Sequence, residues 1–310
     1  MTEREFKRRR GGLVNLLYLE IDDQHAREMR SALAKGRFDV AEQTISRQTD
    51  CNERFYYVEA AADWKDDAPF LREWAAGGSL VGRLAAAIHA LKHSWNHTTW
   101  THGPNDMPRF QIEADAANKE LGAVAKASPR DATPIYWLIW AAFATGQHER
   151  AKQLYEEGVR RAPTLLATRS VGLRVAAPLP FGSQQAALDL ARQIVQDMPR
   201  GLGADMLIPE AHWMVSGMKT GEYWQSPEVR DEVLDADERD RQSPPSGTNL
   251  LRSHQWFTYG LWAIGQPGKA RDRFEAIRGL ENQWPWSRYR FGFNTLFGEF
   301  RKASKASRRR

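Results

Sequence analysis

A single cysteine, Cys51, stands among 310 residues. It excludes an internal disulfide and any thiolate cluster for zinc, and it suits a reducing compartment. Long apolar runs are missing as well, since no stretch approaches the roughly 18 residues needed to span a bilayer. Leu13 to Leu19, after Arg8 to Arg10, imitates an export signal. It holds Asn15 and runs into Glu20, Asp22 and Asp23 with no small-residue cleavage site, so the expected location is cytoplasmic. No run of alternating β-branched residues bounded by turns is long enough for a sheet. Enzyme signatures are wanting too. There is no phosphate-cradling loop ending in Lys-Ser or Lys-Thr, Gly201 and Gly203 alone make no dinucleotide fingerprint, and no Gly-x-Ser-x-Gly elbow occurs. The expectation is a protein that is not an enzyme and carries no cofactor.

What is present is helical text, rich in Ala, Leu, Arg, Glu and Gln from Asp22 onward, with apolar residues recurring at three and four. A Gly, a small residue five on and an apolar or small residue nine on recur four times. They are Gly36, Ala41 and Ile45; Gly146, Ala151 and Tyr155; Gly182, Ala187 and Ala191; and Gly265, Ala270 and Phe274. Gly takes the turn between two antiparallel helices, the small residue lets the second helix approach the first, and the third residue fills the space a turn later. Two copies add a Pro seventeen residues after the Gly, at Pro163 and Pro199. The pattern predicts an all-α fold, an α-α superhelix of antiparallel helix pairs, with more than half of the chain helical.

A repeat stack is one continuous body, because each pair leans on its neighbour. The expected organisation is a basic N-terminal segment over 1–21, a single helical-repeat domain over 22–300 with a linker-like loop at 242–247, and a basic tail over 301–310. Charge follows that division. The whole chain carries +5; its first ten residues hold +3 and its last ten +6, which leaves the body at −4. The basicity implied by a pI of 9.3 therefore belongs to the ends. Such ends reach phosphates or acidic surfaces, so nucleic-acid or anionic-surface binding is the alternative functional reading; a solvated terminus is the plainer one.

Gly146, Ala151, Tyr155, Gly158 and Pro163 fill five positions of the tetratricopeptide pattern, and Gly265, Ala270, Phe274 and Ile277 fill four in another copy. The chain thus resembles tetratricopeptide-repeat proteins. Over almost its whole length it also resembles an uncharacterised, mainly actinobacterial family of that kind, through Phe55 to Glu59, the region of Trp95, Pro209-Glu210-Ala211-His212 and Trp284-Pro285-Trp286. The resemblance implies the fold and carries no activity, since that family has none assigned. In such stacks the first helix of each pair lines the concave face that binds partners. In that register Tyr136, Trp140 and Phe143 point inward, as do Tyr259 and Trp262. These five are the candidate partner-binding residues, for another protein or an extended peptide; core packing of an all-apolar helix is the competing reading. The Lys and Asn positions that clamp a peptide carboxylate in some repeat proteins are absent.

His89, His93 and His97, spaced by four on one predicted helix with His102 just beyond, are the sharpest chemical candidate for a metal. A third imidazole eight residues on has drifted by about 80°. No acidic residue interleaves to serve as a base, so a metal-dependent enzyme is the weakest reading and the expectation is no metal. Trp284, Trp286, Tyr289, Phe291 and Phe293 read as an aromatic cap on the end of the stack.

Overall fold

The computed structural model describes residues 23–64, 67–98, 107–177, 184–216 and 221–277. The basic ends, the Trp284 to Phe293 aromatics, His102 and Gly182 lie outside these residues, as does the side chain of His97. Among the described residues the secondary structure is all helical, with no strand. No helix among them is long and apolar enough to cross a membrane. They fall into two compact units, 1–181 and 182–310.

The first unit holds α1 (Gln24–Leu33), α2 (Phe38–Ser46), α3 (Cys51–Ala62), α4 (Pro69–Ala76), α5 (Leu80–Thr98), α6 (Met107–Ala127), α7 (Thr133–Ala144), α8 (His148–Arg161) and α9 (Leu166–Ala176). The second holds α10 (Gln184–Asp197), α11 (Leu207–Ser216), α12 (Glu222–Gln225), α13 (Pro227–Gln242), α14 (Gly247–Ala263) and α15 (Pro267–Ile277), with a short 3-10 turn at Ala204–Met206. The expected linker proves shorter than 242–247, because α13 runs through Gln242 and α14 starts at Gly247.

The turns at three of the four repeated glycines share one hydrogen-bond pattern. Gly36 donates to Leu33 O and Arg37 to Ala32 O; Gly146 donates to Phe143 O and Gln147 to Ala142 O; Gly265 donates to Trp262 O and Gln266 to Leu261 O. This is the left-handed glycine cap that satisfies orphan carbonyls at a helix end. The glycines have φ of 71°, 71° and 77°. A Cβ added at Gly36 or Gly146 would meet nothing within 4 Å, so the conformation, not the space, demands glycine there. Gly146→Ala is accordingly expected to cost about 1–2 kcal/mol in urea denaturation and Gly146→Asn less; equal losses from both would contradict this reading.

Five residues after each glycine the chain is closed off. Ala41, Ala187 and Ala270 are fully buried and Ala151 nearly so, which lets α2, α8, α10 and α15 lie close against their neighbours. Gly158 answers a different need, because a Cβ there would come within 2.9 Å of Thr168 Cγ2 and 3.2 Å of Ile135 Cγ2. Its bare backbone admits α7 and α9 to the same side of α8.

In the first unit α1 packs on α2, α4 on α5, α5 on α6 and α7 on α8, while the odd-numbered helices α1, α3, α5, α7 and α9 form a row, each against the next. The core of this row includes Met29, Tyr56, Leu84, Ile88 and Leu91. In the second unit α11 is central, packing on α10, α13 and α14, and α14 also packs on α15. Trp213 and Trp256 meet edge to face there, 5.6 Å between centroids.

Candidate partner-binding face

Helix α7 is apolar almost throughout, opening with Pro134 in its first turn, where a missing N–H costs nothing. Sequence alone leaves its orientation open. The structure buries Ile135, Trp137, Ile139, Ala141 and Ala142 and leaves Tyr136, Trp140 and Phe143 half-buried. Their i, i+4, i+7 spacing sets them in one stripe. Successive rings meet edge to face, with centroids 6.4 Å apart from Tyr136 to Trp140 and 6.5 Å from Trp140 to Phe143. Neighbouring helices fix both ends. Phe55 of α3 meets Tyr136 at 4.9 Å, His148 of α8 lies 5.7 Å from Phe143, and the Arg174 guanidinium of α9 sits 5.4 Å over Trp140. Each such contact contributes about 0.5–1.5 kcal/mol beyond area burial, so the stripe is ordered before anything binds it.

Behind the stripe lies a polar cluster that ties α3, α5 and α7 together. Trp137 Nε1 donates to Glu59 Oε1 at 2.6 Å, and Lys92 Nζ lies 3.0 Å from both Glu59 Oε2 and Asp63 Oδ1. Burial works to strip Lys92 of its proton, but the facing carboxylates outweigh it and raise its pKa. Arg30 of α1 joins the cluster, donating to Ala60 O and stacking 3.9 Å over Trp64.

Two of the candidate metal histidines adjoin this cluster. The His89 and His93 rings are 5.8 Å apart and tilted. His89 Nδ1–H donates to Ala62 O at 3.1 Å, and burial lowers its pKa. Among the described residues no group of three or more His, Cys, Asp or Glu side chains converges as a metal would need.

The second unit requires a correction to the candidate face. Tyr259 is 1 % exposed, with its ring 5.6 Å from Trp224 and 6.2 Å from Trp262. It is a core ring and offers a partner no surface, because α14 is covered by both α11 and α13. Trp262 alone of that pair stays half-buried.

The same unit contains polar chains that sequence reasoning missed. His212 Nε2–H donates to Glu232 Oε2 at 3.1 Å, Tyr223 O–H donates to His212 Nδ1 at 2.7 Å, and Arg192 grips Glu232 with Nε and Nη2 at 2.7 and 2.8 Å. Burial alone would raise Glu232, yet Arg192 and His212 hold it at about 2. Burial, with Glu232 adding to it, pushes Tyr223 up to about 12. The chain crosslinks α10, α11, α12 and α13. Only His212 carried a sequence signal, as part of the Pro209 to His212 text; its partners lie 11 and 20 residues away.

His254 in α14 is held from the ordinary 6.5 down to about 4, first by burial and then by Arg273 and Arg241, with Asp237 opposing. The native state therefore binds fewer protons than the unfolded chain between those values. Stability is full above about pH 6.5 and falls as pH drops through the window. His254→Gln is expected to remove about 1–2 kcal/mol of the loss between about pH 7.5 and 5, read from denaturation midpoints at the two pH values. An unchanged slope would contradict the assignment.

A scan against protein-family models finds none that matches the chain, and a search of curated proteins finds no match.

Proposed function

We propose that the chain is a non-enzymatic, tetratricopeptide-like scaffold of the cytoplasm whose first unit binds another protein or an extended peptide. The observation that carries the reading is the half-buried stripe of Tyr136, Trp140 and Phe143, held by Phe55, Arg174 and His148 on a helix whose Ile135, Trp137, Ile139, Ala141 and Ala142 are buried. Large rings already fixed in place bury area on binding at small entropic cost, and this is why aromatic and Arg side chains dominate binding hot spots. The row of odd-numbered helices and the shared glycine turns support the repeat reading. Extended segments are recognised on such surfaces by shape and a few anchors.

A photo-crosslinking amino acid placed at Phe143 tests the proposal in living cells, with the exposed Lys152 on the neighbouring helix as control. A discrete protein adduct from position 143 and none from 152 is the expected result. Adducts of the same pattern and yield from both positions would count against this face.

A further inference from the structure

The polar chain of the second unit has the order of a nucleophile, a base and an orienting acid. His212 is 2 % exposed, and its ring is fixed from both sides. Nε2–H donates to Glu232 Oε2 at 3.1 Å, which leaves Nδ1 to accept the Tyr223 hydroxyl at 2.7 Å. Arg192 keeps Glu232 ionised through two bonds of 2.7 and 2.8 Å, so a proton arriving on the imidazole meets a carboxylate already in place. Tyr223 is half-buried on α12, where Glu222 and Gln225 are exposed. The phenol is therefore the solvent-side end of the chain, and the imidazole behind it is shut away from water.

A buried donor beside this chain is left without an acceptor. The Trp224 side chain is 2 % exposed, and its Nε1–H has no hydrogen-bond partner among the described residues. Its ring centroid lies 5.9 Å from that of Tyr223 and 6.0 Å from that of His212. An enclosed N–H in that state costs about 1–3 kcal/mol, and a donor held ready in a water-poor site is what a developing oxyanion requires. We propose that Tyr223 is a covalent acceptor of acyl groups from activated esters or thioesters, with His212 as its general base and the Trp224 N–H as donor to the oxyanion. The phenol oxygen attacks the acyl carbonyl and a C–O bond forms while the phenol proton passes to His212 Nδ1. The tetrahedral oxyanion then collapses, the bond to the leaving alcohol or thiol breaks, and that group carries the proton away from His212. Burial and Glu232 push the Tyr223 pKa up to about 12, which leaves almost no phenolate at neutral pH and makes the base necessary. Glu232 and Arg192 act through His212 and are positioning residues. The step modifies the chain once and is separate from partner binding by the first unit.

The test adds p-nitrophenyl acetate to the full chain and follows each acetylated residue in time by peptide mass spectrometry. Tyr223 is one of eight tyrosines, and at neutral pH it is expected to be acetylated about a hundredfold faster than the others, as a positioned base allows. An imidazole base is fully available once it is neutral, so the Tyr223 rate should level off in mildly alkaline buffer; attack by free phenolate would climb about tenfold per pH unit instead. His212→Gln should slow Tyr223 at least about a hundredfold and convert its pH profile to that steady climb. Trp224→Phe, which keeps a ring and removes the N–H, should slow it at least about tenfold. Each variant is first shown to unfold cooperatively; if His212→Gln does not fold, the wild-type pH profile and Trp224→Phe decide. Acetylation of Tyr223 no faster than of the other tyrosines, a wild-type rate that climbs with pH throughout, or a folded variant of either kind with the wild-type rate would each overturn the proposal.

Discussion

Replacing Arg273 by Met is expected to destabilise the second unit by about 3–5 kcal/mol, the cost of removing one partner from a buried ion cluster. Arg273 Nε donates to Asp237 Oδ1 and Nη1 to Asp240 Oδ2, both at 2.7 Å, while Nη2 donates to Asp237 O at 3.1 Å. All three side chains are almost wholly enclosed, at 3, 1 and 1 % exposure. Ser253 Oγ adds a bond to Asp240 Oδ2, and the guanidinium lies 4.7 Å over Phe257. The cluster therefore joins α13, α14 and α15 at one point. Without the guanidinium, two buried carboxylates lose their main counterion, and burial already pushes Asp240 up against the pull of Arg273. Arg273→Lys should recover little, because an ammonium cannot reproduce the planar fork that serves both carboxylates. A triple variant with Met at 273 and Leu at 237 and 240 should regain most of the loss, since well-packed apolar groups often replace a buried ion cluster without cost. Guanidinium chloride denaturation measures all three. A loss below about 1 kcal/mol for Arg273→Met would mean that water reaches the cluster.

The helix pairs were legible because their signals are local. A glycine forced to positive φ and a small residue five on belong to one turn, and Gly36, Gly146 and Gly265 behave alike. Pro69 opens α4 and Gly77 closes it, as short-range rules expect. The four-residue α12 left no periodic trace. Orientation was harder to read. On α7 every position is acceptable in a core, and only the packing of its neighbours decides that Trp137 is enclosed, against Glu59 of α3 and Lys92 of α5, while Trp140 keeps surface. The same ambiguity on α14 concealed that Tyr259 is core. The polar clusters were out of reach for a related reason: Lys92 meets Glu59 across 33 residues, Arg273 meets Asp237 across 36, and Asn52 meets Thr164 across 112. One sequence without its fold contains no term that couples such positions.

Trp140→Ala separates the two uses an aromatic ring can have. A fully enclosed tryptophan would cost about 3–5 kcal/mol on truncation. Trp140 is only half-buried, and its ring neighbours Tyr136 and Phe143 are themselves held by α3 and α8. The expected cost is about 1–3 kcal/mol, which leaves the chain folded with an unaltered far-ultraviolet circular dichroism spectrum. Binding should suffer more, because a central aromatic anchor contributes about 2 kcal/mol or more, roughly thirtyfold in affinity. Phe143→Glu, at the far end of the stripe, should weaken the same interaction with a smaller effect on the fold. The most direct measurement is quantitative affinity capture from native lysate with the wild type, Trp140→Ala and Phe143→Glu, each first shown to unfold cooperatively. The account predicts a protein enriched by the wild type and lost from both variants; a folded Trp140→Ala variant that retrieves the same proteins in the same amounts would contradict it.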